Sequence, residues 1–87
     1  MTLIIVKFGP NNVAEKIKIA AGQEGDSIVL VQDGIFWALE EIQTEADVYA
    51  VTDDVVARGY SEDDITVPMV DFKGFVEIIE KCEKSIS

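Results

Sequence analysis

The chain reads as a small α/β domain, a three-layer α/β/α arrangement around a mostly parallel sheet of about four strands. Three observations predict this. Short β-branched apolar runs recur along the chain without strict alternation, as strands buried on both faces require. Each run ends in turn residues and is followed by a stretch with helical periodicity, and such βα alternation builds a parallel sheet. At 87 residues the chain has room for one domain, taken as residues 1–87.

The elements follow in order. Thr2 to Phe8 (TLIIVKF) is the first strand. Gly9-Pro10-Asn11-Asn12 turns the chain, and Asn12 is placed to cap the next helix. Val13 to Ala21 forms that helix, with Val13, Ile17, Ala20 and Ala21 along one side. Gly22 to Gly25 breaks it, and Ser27 to Gln32 (SIVLVQ) is the second strand, closed by Asp33-Gly34. Ile35 to Gln43 is the second helix, with Ile35, Ala38, Leu39 and Ile42 as its inner stripe. Asp47 to Thr52 is the third strand. A very short helix follows, opened by the paired acids Asp53 and Asp54 and closed by Arg58 and Gly59. Ile65 to Val70 is the fourth strand, and its Pro68, which lacks a donor, suits only a sheet edge. Asp71 caps the last helix, Phe72 to about Lys84.

Composition narrows the function classes. Hydrophobic residues make up 48% of so short a chain. A domain of this size buries only ~60–65% of its unfolded surface, so part of that apolar area stays exposed and favours self-association. Seventeen acidic residues against seven basic ones give a net charge of −10, which argues against direct nucleic-acid binding. There is no histidine and a single cysteine, Cys82. An intrachain disulfide, a Ser-His-Asp triad and a His- or multi-Cys metal site are thereby excluded. The first apolar run is too short for a signal peptide or membrane span, so the expected location is cytoplasmic.

Ligands of parallel α/β sheets bind beyond the carboxyl ends of the strands. The residues there are Gly9 and Pro10, Asp33 and Gly34, Thr52 to Asp54, and Asp71. No GxGxxG or P-loop occurs, so a nucleotide site has only weak support, and no cofactor is expected. A Mg²⁺-binding receiver site would need acids after the first strand, where Lys7-Phe8-Gly9 stands instead. Helix capping by Asp53 or Asp54, and by Asp71, accounts for these acids, and an Asp54–Arg58 surface pair accounts for that spacing. Cys82 is the one nucleophile candidate. On the last helix it falls in the stripe Phe72, Phe75, Val76, Ile79, Cys82 and Ile86, between Glu80 and Glu83 near a helix C-terminus, a setting that does little to favour a thiolate. Trp37, beside Phe36, lies roughly opposite the inner stripe of its helix, which makes the two rings candidate subunit-contact anchors.

Three segments carry a family likeness: IVLVQDGIFWAL (Ile28 to Leu39), VYAVTDDVVARGY (Val48 to Tyr60) and VDFKGFVEI (Val70 to Ile78). Together, in this order, they resemble the DsrH/TusB family of sulfur-relay proteins over most of the chain after residue 27. The family's usual N-terminal His-Thr, the Ser-Pro after it and the C-terminal Trp are absent. The resemblance implies a DsrEFH-like α/β/α fold. It implies a subunit of a cytoplasmic sulfur-relay system, in which persulfide sulfur passes between cysteines on the way to tRNA 2-thiouridine or in sulfur oxidation. It further implies homologous partner subunits, with the main persulfide cysteine generally on another of them. A shorter stand-alone form would self-associate, as a homodimer. On this reading the chain is an accessory, non-catalytic subunit. The alternative is a sulfurtransferase with Cys82 as persulfide-carrying nucleophile, since some members carry a cysteine at about that place.

Overall fold

The computed structural model describes residues 1–87. Five strands form a single sheet in the order β4-β3-β2-β1-β5, and every pairing is parallel. The strands are β1 (Thr2–Val6), β2 (Ser27–Leu30), β3 (Asp47–Val51), β4 (Met69–Val70) and β5 (Lys84–Ile86). The helices are α1 (Val13–Ala20), α2 (Thr52–Ala57) and α3 (Phe72–Lys81), with a 3₁₀ helix over Gln32–Leu39 and a short one over Glu62–Asp64.

The strand residues alternate between two apolar clusters, one on each face of the sheet. Ile4, Val6, Ile28, Leu30 and Ala50 meet Ile19 of α1, Ile35 and Ala38 of the 3₁₀ helix and Val55 of α2. Leu3, Val29 and Val51 meet Phe75, Ile78 and Cys82 of α3. The connections from β1 through to β4 thus lie on one face. Only α3, which carries the chain from the β4 edge to the β5 edge, lies on the other.

The expected α/β/α layering is present, and the differences have physical causes. The sheet has a fifth strand. The last helix stops at Lys81 and Cys82 is its extended C-cap. Lys84 to Ile86 then pair with Thr2 to Ile4, held at the start by the Glu83 amide donating to the Met1 carbonyl. β4 is confined to Met69–Val70, because Thr66 is drawn away from the sheet. Its amide donates to Ala38 O at 2.8 Å and its hydroxyl to Glu40 O at 3.0 Å. Those two bonds also satisfy carbonyls at the end of the 3₁₀ helix, which stops at Leu39 rather than Gln43. Pro68 does sit at a sheet edge, where only its carbonyl is used, accepting from Ala50 N.

Helix α1 is turned about its axis relative to the periodic stripe. Val13 and Ile17 are 70% and 63% exposed, whereas Glu15 is buried beside Ile19. The Glu15 carboxylate decides this orientation. One oxygen accepts from the amides of Lys7 at 2.7 Å and Phe8 at 3.0 Å, just past β1. The other faces Lys18 Nζ at 2.7 Å, which also donates to Ile5 O. A buried carboxylate needs such partners, and turning the apolar stripe inward would remove them.

Candidate functional site

The carboxyl ends of β2 and β3 carry the most constrained geometry in the molecule. Gln32 has φ of +51°, the only non-glycine residue with positive φ, a conformation costing about 1–2 kcal/mol. Its amide, turned out of the strand direction, donates to Asp54 Oδ2 at 2.9 Å. Asp33 Oδ1 accepts from Arg58 Nε at 3.0 Å, and Arg58 also lies 3.7 Å from Asp54 Oδ1. At Gly34 the chain passes so close to β1 that a Cβ would collide with the Val6 carbonyl oxygen, so only glycine fits. The Gln-Asp-Gly and Asp-Asp-x-x-Ala-Arg-Gly segments, about twenty residues apart, are therefore two halves of one lock. It joins the first turn of the 3₁₀ helix to α2.

The same edge continues into β4. The Thr52 hydroxyl donates to Val70 O at 3.1 Å, and Asp71 caps α3 by accepting from Gly74 N at 2.7 Å. Exits from β3 and β4 lead to opposite faces of the sheet, which makes this the crevice where parallel α/β proteins bind ligands. The capping roles expected of Asn12 and Asp71 are present. The one expected of Asp53 or Asp54 is not. α2 has no side-chain cap, and Asp54 serves the Gln32 amide instead. The Asp54–Arg58 pair exists, but the shorter contact of Arg58 is to Asp33, across 25 residues of sequence.

A hollow of about 550 Å³ opens beside this lock, lined by Phe8 to Asn12, Asp33 and Phe36. Phe36 packs edge-to-face on Tyr60, with centroids 6.1 Å apart. Trp37 is half-buried against the core and its indole N–H donates to Phe8 O at 2.9 Å. The two rings thus form part of the wall of the carboxyl edge.

Cys82 lies at the opposite end of the molecule. It is a free, half-buried thiol at the C-cap of α3, packed on the Leu3–Val29–Val51 cluster near the amino end of β1. The fold does not bring it to Asp33, Asp54 or Arg58. No group of three Cys, Asp or Glu side chains converges as a metal would require.

Two carboxylates are held below their ordinary pKa by their surroundings. At Glu15 burial is the largest influence and raises the pKa. The hydrogen bonds from Lys18 and the Phe8 and Lys7 amides, with the Lys18 charge, outweigh it and leave the group below its ordinary value. Asp26 is lowered chiefly by accepting from the Gln23 amide, then from the Thr2 amide. Both brace β1, and neither sits in the crevice. Sequence patterns missed Glu15, the bent Gln32 backbone and the Asp33–Arg58 pair. Nothing in the local pattern VAEKIKIA, where Lys16 and Lys18 also stand, sets Glu15 apart.

Comparison with known proteins follows the same pattern. The model of the DsrH-like protein family matches residues 11–85. Two NMR structures of protein Tm0979 from Thermotoga maritima are similar to the chain, each at 48% sequence identity. One has a TM-score of 0.84 and covers 93% of both chains. The other, in which that protein is named a candidate sulfur transferase, has a TM-score of 0.76 and covers 100% of both. No curated protein matches the chain.

Proposed function

Because the chain belongs to the DsrH-like family, we propose that it is an accessory subunit of a cytoplasmic sulfur-relay system. On this reading it acts in persulfide sulfur transfer of the kind that ends in tRNA 2-thiouridine or serves sulfur oxidation, and the main sulfur-carrying cysteine belongs to a partner. The observation that carries the accessory role is where the polar residues are used. Asp33, Asp54 and Arg58 are spent on one another and on the Gln32 amide, and the single thiol stands at the far end of the sheet. Beside that lock, past the ends of β1 and β2, a hollow walled by Phe8, Pro10 and Phe36 offers a surface for a partner to dock against. Phe36 and Trp37 are the contact anchors of this reading. The chain works as a homo-oligomer or with homologous subunits, without touching nucleic acid and without a cofactor. No helix is long and apolar enough to cross a membrane.

The second reading is a sulfurtransferase, favoured by one observation: Cys82 is free and only half-buried at a helix end. Its thiolate would attack the outer sulfur of a donor persulfide, forming a new Cys82 persulfide and releasing the donor as a thiolate. Incubation with a low-molecular-weight persulfide, followed by intact-mass measurement, separates the two. The accessory reading expects no stable gain of one sulfur on the wild type, and alkylation of Cys82 no faster than that of a free thiol. A sulfur adduct that is absent from Cys82→Ser and passes on to an acceptor thiol would establish the sulfurtransferase instead.

A further inference from the structure

The amino half of β3 is an open edge of the sheet. Peptide groups alternate sides along a strand, and two bonds fix the sides in β3. Asp47 N–H donates to Asp26 O on the β2 side, and Ala50 N–H donates to Pro68 O on the β4 side. Val48, two residues before Ala50, therefore turns its N–H and C=O to the β4 side. The β3–β4 ladder holds only Ala50 with Met69 and Val51 with Val70. Carried one step back, it would set Val48 against Val67, with Thr66 O accepting from Val48 N–H and residue 68 donating to Val48 O. Neither bond forms. Residue 68 is proline and has no N–H, and Thr66 is drawn off to Ala38 O and Glu40 O. The Val48 peptide groups are left without a strand partner on that side.

A cavity of about 300 Å³ lies along this gap, with Ile42, Val48, Val67 and Pro68 in its wall and the exposed Glu41 and Asp47 beside them. Neither of these carboxylates is in an ion pair. The surrounding stretch, residues 26–70, carries eleven acids against the single cation Arg58, which Asp33 and Asp54 already hold. An unpaired strand edge, an apolar gap and two free acids therefore coincide. Natural proteins cover an open edge or use it to bind.

We propose that this gap docks an extended, lysine- or arginine-bearing segment of another protein. The backbone of the segment pairs with Val48 as an added strand, and its cations face Glu41 and Asp47. Charge selects the occupant. Nucleic acid brings phosphates to an acidic surface and is repelled. A second copy of the chain carries the same net charge of −10 and is repelled as well. A metal ion finds no third carboxylate converging there. A basic segment meets both needs of the gap, supplying a backbone partner for Val48 and cations for the acids. The proposal goes beyond the accessory role. It concerns the amino half of β3, away from the carboxyl-edge hollow, and holds whether or not Cys82 carries sulfur.

Titration of the isotope-labelled full chain with the end-capped peptide Lys-Val-Lys-Val-Lys, read by NMR, tests this. Saturable shifts centred on the Val48 and Val67 amides are expected, with hydrogen exchange at Val48 slowed at least about fivefold at saturation. Raising the salt from about 0.01 M to about 0.15 M should weaken binding. Glu41→Lys combined with Asp47→Lys, both at exposed positions, should weaken it at least about tenfold while circular dichroism stays unchanged. Pro68→Ala supplies the N–H that Val48 O lacks, so the chain's own strand closes the gap and peptide binding should fall. The absence of saturable shifts up to about 5 mM peptide would overturn the proposal. So would shifts centred on Asp33 and Asp54, undiminished binding of the same peptide methylated on its backbone nitrogens, or equal binding of Glu-Val-Glu-Val-Glu. Shifts at Val48 that grow with protein concentration alone would seat a second copy in the gap and overturn it too.

Discussion

At the scale of single residues, the constraints come from backbone groups that need partners. Gly34 passes against the Val6 carbonyl, so Gly34→Ala must push β1 and the 3₁₀ helix apart. A loss of about 3 kcal/mol is expected from the urea midpoint, at the upper end of overpacking effects. Gln32→Gly should go the other way. It removes the cost of a left-handed non-glycine residue while keeping the amide that Asp54 accepts, and should raise stability by up to about 1 kcal/mol. Glu15→Gln keeps one oxygen for the two backbone amides but turns an NH2 donor toward the Lys18 ammonium and removes the charge facing it. A cost of about 1–3 kcal/mol is expected. The pH dependence has a definite sign. The Glu15 pKa is lowered in the folded state, so its contribution is present above the ordinary carboxylate value and lost as pH falls through the lowered one. Acid unfolding of Glu15→Gln should therefore be less steep than that of the wild type below pH about 4.5.

At the scale of elements, the sequence patterns and the structure differ where one element borrows partners from another. The 3₁₀ helix ends at Leu39 because Thr66, on a different segment, takes the carbonyls of Ala38 and Glu40. α2 has only six residues, too few to be stable alone, and it is held by Val55 in the core and by the Arg58–Asp33 bridge. Because that bridge is largely exposed, Arg58→Ala should cost only about 0.5–1 kcal/mol. Its effect should appear instead as faster hydrogen exchange in α2 and at Gln32, the two places the bridge ties together. If exchange is unchanged there, the lock does not act as a unit.

At the scale of the whole molecule, the distribution of charge along the chain bears on nucleic-acid binding. With the formal −10 carried entirely by residues 26–70, the chain should form no salt-sensitive complex with tRNA at physiological ionic strength. A filter-binding or electrophoretic shift that weakens with salt would contradict this.

The βα alternation, the caps Asn12 and Asp71, the edge position of Pro68 and the family likeness were all legible in the chain by itself. Each rests on local spacing or on one residue's own backbone preference. The orientation of α1, the fifth strand and the meeting of Gln32 and Asp33 with Asp54 and Arg58 were decided only by the tertiary structure. Periodicity assigns Val13 and Ile17 inward, and nothing nearby in sequence offsets it. The decisive terms are the Lys7 and Phe8 amides, which become Glu15's partners only when α1 lies back over the end of β1. Hydrogen bonds spanning 22 and 25 residues leave no trace in a local pattern, and here they convert two separate segments into one site.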